Sequence, residues 1–140
     1  MASLYIYKNK ELKSFVQEPW LIDELLYDYK IQLFKSEFKD IDSYVKKSTE
    51  LFNFVDYDIF TIRIPIVEAD PHQHKTPEGR MILKGTGRFY FEFSDILIEL
   101  HVSSGDFVFI PANINHYFKC LEAMVVMRFF SSLDAEKFTE

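Results

Sequence analysis

The stretch "GRFYFEFSDILIELHV", residues 87–102, decides the fold. Phe89, Phe91 and Phe93 alternate with Tyr90 and Glu92, so the three rings share one face of a strand. A two-residue turn at Ser94-Asp95 would pair Phe93 with Ile96, Phe91 with Ile98 and Phe89 with Leu100. All six side chains then fall on a single face, as the register of a β-hairpin requires. Ser-Asp is not a preferred turn pair, so the turn type stays open. Outward from this hairpin, "GTG" (85–87) and "SSGD" (103–106) punctuate further short strands. "YDIFTIRI" (57–64) also has period two, with Ile59, Thr61 and Arg63 on one side and Phe60, Ile62 and Ile64 on the other. The second half reads as a run of antiparallel strands with no helix before Leu133. That pattern describes a sandwich or barrel, not an α/β fold.

The first half mixes periods. "LYIY" (4–7) reads as a strand. Pro19 suits a first helical position, and Leu21, Leu25 and Leu26 follow at helical spacing, giving a short helix to about Tyr29. "IQLFKSEF" (31–38) reads as another strand. Asp40 is the expected N-cap of a second helix with Ile41, Tyr44, Val45, Leu51, Phe52 and Val55 on its apolar face and Lys46, Lys47 and Glu50 in water. Both short helices are expected to pack outside the barrel.

A chain of 140 residues suits one domain, large enough to bury roughly two-thirds of its unfolded surface. It is 48% hydrophobic and 17% aromatic, with 15 Phe and 8 Tyr, a composition that builds cores and favours strands. The formal charge of -6, from 22 acids against 16 bases with no basic block, argues against a nucleic-acid partner. Cys120 is the single cysteine. It excludes an intramolecular disulfide and reads as a small core hydrophobe. Lys8, Lys10 and Lys13 interrupt the first residues where a signal peptide would be apolar. No stretch approaches the length of a membrane span. The expectation is a cytoplasmic protein with no membrane partner.

"HQHKTPEGR" (72–80) carries the chemistry, in a chain with 4 histidines. On a strand His72 and His74 point the same way. Glu78 follows a short turn at Pro77, so a hairpin would bring its carboxylate back beside the imidazoles. "GDFVFIPANINHYF" (105–118) adds His116 after a strand that ends at Pro111. Three imidazoles and one carboxylate converging inside a barrel suit a divalent transition metal, iron, nickel or zinc before magnesium or calcium. Read alone, a His-x-His pair is also what a surface strand or a satisfied core shows, and the stretch reads equally as a polar turn. His101, on the second arm of the hairpin, reads as solvent-facing.

These residues resemble the cupin superfamily. Its first motif, G-x5-H-x-H-x3,4-E-x6-G, is matched by His72, His74, Glu78 and Gly85, with Ile66 in place of the leading Gly. Its second, G-x5-P-x-G-x2-H-x3-N, is matched by Gly105, Pro111 and His116, with Asn113 and Cys120 at the remaining positions. Within that superfamily the chain resembles the acireductone dioxygenases in its "HQHKTPEGR", "GTG", "GD", "PANINHYF" and "MRFF" blocks, and in the strand-helix-strand-helix order before them. Members carry an insert between the "YDIF" strand and the first histidine, where this chain has "TIRIPIVEAD". They continue beyond the arginine strand, and they commonly have Glu where Pro71 stands.

The resemblance implies a mainly β, cupin-type double-stranded β-helix, a jelly-roll barrel with the two N-terminal helices outside. It is laid out as one cupin domain over 1–140: an N-terminal part over 1–56, a metal-binding barrel over 57–130 and a tail over 131–140. It implies one Fe(II) or Ni(II) per chain held by His72, His74, Glu78 and His116, with Glu78 and Arg80 as catalytic groups. Arg80, Phe118 and Arg128 would bind the substrate. The implied reaction joins a small enediol, acireductone, with dioxygen in methionine salvage. In the family, iron gives a keto acid plus formate, and nickel a shorter acid, formate and carbon monoxide. A monomer or homodimer is expected. Two rivals stand beside it: a cupin enzyme that oxidises or isomerises another enediol or diketone, and a non-catalytic cupin that binds a metal or small molecule. Arg80 and Arg128 also have a structural reading, each paired with an acid such as Asp106, and Phe118 a reading as plain core.

Overall fold

The computed structural model describes residues 2–35, 40–63, 67–68 and 71–131. In chain order its elements are β1 (Ser3–Lys8), β2 (Glu11–Val16), α1 (Pro19–Tyr27), β3 (Gln32–Lys35), α2 (Ile41–Phe52), β4 (Asp56–Ile62), β5 (Val67–Glu68), β6 (Glu78–Lys84), β7 (Thr86–Phe93), β8 (Ile96–Ser103), β9 (Asp106–Ile110), β10 (Asn115–Cys120) and β11 (Met124–Phe130). The strands form two antiparallel sheets, ordered β2-β1-β8-β7-β10-β5 and β3-β9-β6-β11-β4. The expected helix near Leu133 and the last part of "IQLFKSEF" fall outside the described residues.

The hairpin forms in the expected register. Phe93 faces Ile96, Phe91 faces Ile98 and Phe89 faces Leu100, and Ser94 turns the chain at φ 50. Phe89, Phe91, Ile98 and Leu100 are fully buried. They lie in one apolar cluster with Ile82, Val108, Ile110 and Val126 of the five-stranded sheet, so the two sheets share this interior. Ile22 and Leu26 of α1 join the same cluster.

The inner strands of the five-stranded sheet, β9, β6 and β11, bury their other face as well. Met81, Phe107, Met127 and Phe129 form a second cluster with Tyr44 of α2 and with Phe54. Strands buried on both faces lose the polar half of their alternation, which is why "RMIL", "DFVFI" and "MVVMRFF" read as near-continuous apolar runs. Asp40 caps α2 as expected, its Oδ1 accepting from the Ser43 N–H at 2.7 Å.

Three expectations need correction. A second strand, β2, follows β1 across a turn at Asn9 and Lys10, both at positive φ, and pairs with it antiparallel. The apolar stripe of α2 is centred on buried Ser48, and Leu51 and Val55 are exposed. Leu51 lies on the flank of that stripe, and Val55 lies beyond the helix, which ends at Asn53 in the left-handed region. His101 is half-buried rather than solvent-facing, bonded to the Glu99 carboxylate with its ring 4.7 Å from that of Tyr5.

Candidate metal centre

His72 and His74 do not sit on a regular strand as the alternation suggested. His72 makes an isolated bridge to His116, each backbone N–H bonding the other's carbonyl at 2.9 Å. The Asn113 N–H bonds the His74 carbonyl at 2.8 Å. The segment before β6 is thus clamped to the start of β10. Asn113 takes φ 65, a left-handed conformation that asparagine tolerates, so Asn serves where the motif expects Gly. The three imidazoles converge, each offering a nitrogen within 4.8 Å of the others.

Glu78 opens β6 and is buried, as are His74 and His116. Its Oε1 lies 3.0 Å from His116 Nε2 and its Oε2 lies 3.2 Å from His74 Nε2. His116 Nδ1 lies 2.9 Å from the Ile114 carbonyl, an acceptor, and so carries a proton. In a neutral ring Nε2 then presents a lone pair to a carboxylate oxygen. A protonated ring or a cation between the two groups resolves that repulsion. With three nitrogens, one oxygen and a carbonyl fixing the tautomer, the donor set fits a borderline transition metal.

Both arginines lie on the same inner face, since Arg80 and Arg128 are direct cross-strand partners. Arg80 is 2% exposed. Its Nη2 donates to Glu78 Oε2 at 2.9 Å and its Nη1 to the Gly79 carbonyl at 2.9 Å. Arg128 Nε and Nη2 donate to the two oxygens of Asp58 at 2.8 and 2.6 Å. The Phe130 ring lies 5.7 Å from the Arg80 guanidinium and 5.6 Å from that of Arg128. Each arginine therefore has its acid, but the acids are Glu78 and Asp58, and Asp106 instead accepts from the Ser103 N–H. Phe118 sits two residues after His116, its ring 4.7 Å from that of Phe89 and packed over Gly87. Asp58 and Phe130 were not picked out from the sequence. The signal for Asp58 was partly present, because alternation in "YDIF" puts its charge on the same side as Phe60 and Ile62.

Two facing antiparallel sheets with three imidazoles and a carboxylate gathered between them define a cupin. The family model described as the ARD/ARD' family matches residues 68–137, half of the chain, and the chain belongs to that family. It is similar to an acireductone dioxygenase of Leptospira biflexa, 41% identical over 61 residues, covering 42% of this chain and 34% of that protein. It is also similar to one of Sulfurihydrogenibium, 25% identical across 85% of this chain and 82% of the relative. The match to the first relative thus spans about a third of its length. Among solved structures, an acireductone dioxygenase from Bacillus anthracis with a cadmium ion in its active centre shares the fold, with a TM-score of 0.78 at 17% identity over 96% of this chain and 95% of that one. Among the described residues no helix is long and apolar enough to cross a membrane.

Proposed function

We propose that this protein is a metal-dependent dioxygenase of the acireductone type, acting on a small enediol in methionine salvage. The observation that carries the reading is the meeting of His72, His74 and His116 at a carboxylate, Glu78, that touches two of them and a buried arginine. His72, His74, Glu78 and His116 would hold one Fe(II) or Ni(II). When bound, that ion supplies a positive centre that eases ionisation of an enediol and a redox partner for dioxygen.

The chain's own residues do the rest. The Ile114 carbonyl holds the proton of His116 on Nδ1, which keeps the Nε2 lone pair aimed inward. Arg80 bonds Glu78, so it steadies the carboxylate and also places a guanidinium beside the substrate. Arg128, its cross-strand neighbour, adds a second positive group to offset the charge of an enediolate. Phe118 extends the apolar interior below His116 and helps exclude water, which strengthens every charge interaction inside. The proposal places the whole chain in one cupin domain and in the cytoplasm, with the enediol and dioxygen as its partners.

The test begins with elemental analysis of the purified protein beside His72→Ala and His116→Ala. One iron or nickel per chain, lost in both variants, is expected. Oxygen uptake with acireductone should then follow, with formate released by both metal forms and carbon monoxide by the nickel form. A parent that binds the metal yet consumes no oxygen with acireductone refutes the substrate assignment. One that takes up no transition metal on reconstitution refutes the dioxygenase reading.

A further inference from the structure

We infer that Asp58 is the positioning residue for Arg128, holding its guanidinium in the single orientation in which the site meets an anionic enediolate. The inference rests on the functional reading above. It starts from register: β4, β11 and β6 pair so that Asp58, Arg128 and Arg80 stand side by side in one row across the inner face. Asp58 grips Arg128 through both carboxylate oxygens, at 2.8 and 2.6 Å. A two-point grip fixes the plane of a guanidinium as well as its position. Phe60, two residues further along the same face of β4, covers that plane, its ring centroid 4.7 Å from the Arg128 guanidinium carbon. One strand thus supplies both the edge contact and the face contact.

Charge gives the same answer. Arg80 and Arg128 are 2% and 5% exposed, and they are neighbours of like sign. Glu78 balances Arg80 from the metal side, and Asp58 balances Arg128 from the outer edge. Without Asp58 the two-point grip is gone, and Arg128 can turn its long side chain toward water or compete with Arg80 for Glu78. Either move takes the positive group out of its place beside the substrate. Asp58 itself is one-third exposed and lies outside the histidine group, so it acts through Arg128.

Asp58→Asn and Asp58→Glu test this in the metal-loaded enzyme, with the Arg128 Nε–H signal in NMR as a readout independent of turnover. The parent signal should be protected from exchange, and in Asp58→Asn that protection should be lost. Asp58→Asn should keep its metal and kcat near the parent's while KM for the enediol rises about tenfold or more, as expected when one partner of a buried charge pair is neutralised. Asp58→Glu keeps the charge but moves the guanidinium, and its KM should fall between the two. An unchanged or lower KM in an active Asp58→Asn, or a protected Nε–H in that variant, overturns the inference. Should Asp58→Asn fail to fold, an unchanged KM in Asp58→Glu beside a shifted Nε–H signal overturns it equally. A parent inactive toward the enediol overturns the functional reading beneath it, a result separable from the other two.

Discussion

Glu78 is placed to serve the fold without metal as much as the proposed metal site, and Glu78→Gln separates the two roles. The carboxylate is 3% exposed and lies at 2.9 Å from Arg80, 3.0 Å from His116 and 3.2 Å from His74. Removing its charge takes from the buried Arg80 guanidinium the carboxylate it bonds at 2.9 Å. Breaking a buried pair from one side costs roughly 3–5 kcal/mol. At roughly 3 °C per kcal/mol for a chain of this size, the melting temperature should fall by about 10 °C or more. His72→Asn is the matched control. Its side chain is only half-buried, and its bridge to His116 runs through the backbone, so it should cost about 1 kcal/mol or less. Both variants lose a proposed metal ligand. Thermal melts by circular dichroism in excess chelator, with elemental analysis in parallel, give the comparison. A Glu78→Gln melt within about 3 °C of the parent, or a His72→Asn loss as large as that of Glu78→Gln, would refute the assignment of a structural charge pair.

Three more outcomes follow from the packing. Gly87 has Phe118 directly over it and Met124 Sδ 2.9 Å from where a Cβ would stand; Gly87→Ala should cost about 1–3 kcal/mol in urea titration, and adding Phe118→Leu should recover part of it. Asp40→Ala removes the cap bond to the Ser43 N–H and should cost about 1 kcal/mol by the same assay, whereas Asp40→Ser should cost little. Cys120 is 0% exposed, and burial pushes its thiol up, with the Glu122 carboxylate acting in the same direction. A folded value above the unfolded one means this contribution to stability is complete below the ordinary thiol range and is lost as pH rises through the folded value. The thiol should react with a disulfide reagent only at the rate of global unfolding, and immediate labelling at neutral pH would contradict the burial.

The hairpin was legible because its information is local. Six apolar residues fix one register around one turn, and the structure reproduces every pair. The meeting of the three histidines with Glu78 was legible because the spacing of imidazoles and carboxylate in "HQHKTPEGR" carries its own chemistry. Part of what was not legible depends on pairing between distant segments. Alternation in "YDIF" assigns Asp58 to a face, but only the β4–β11 register, joining residues 70 apart, sets it against Arg128. The edge strand β2 was missed because its turn uses Lys10 at φ 67, a residue that does not announce a left-handed turn. The stripe of α2 was misplaced because a serine sits at its centre. Ser48 is buried, and hydrophobic periodicity gives no weight to a polar residue.

The way the site is divided between the sheets bears on how it works. His116 comes from β10 of the six-stranded sheet, while Glu78, Arg80 and Arg128 come from the five-stranded one. His72 and His74 lie on the segment between, bonded by backbone to His116 and Asn113. A cation shared by these groups would therefore tie one sheet to the other. Any ion that binds this arrangement and not the unfolded chain stabilises it through linkage, by about 2.7 kcal/mol at a hundredfold excess over its Kd. The two arginines of the charged row stand on β6 and β11, which are buried by the shared interior on one side and by Tyr44 and its aromatic neighbours on the other, while Asp58 stands on the more exposed edge strand β4. That backing resists the shifts by which two buried arginines would otherwise separate, since a packed interior transmits strain rather than absorbing it. The positive pair is thus fixed in advance, with Arg80 bonded to Glu78, which is the preorganisation that the proposed enediolate substrate would require.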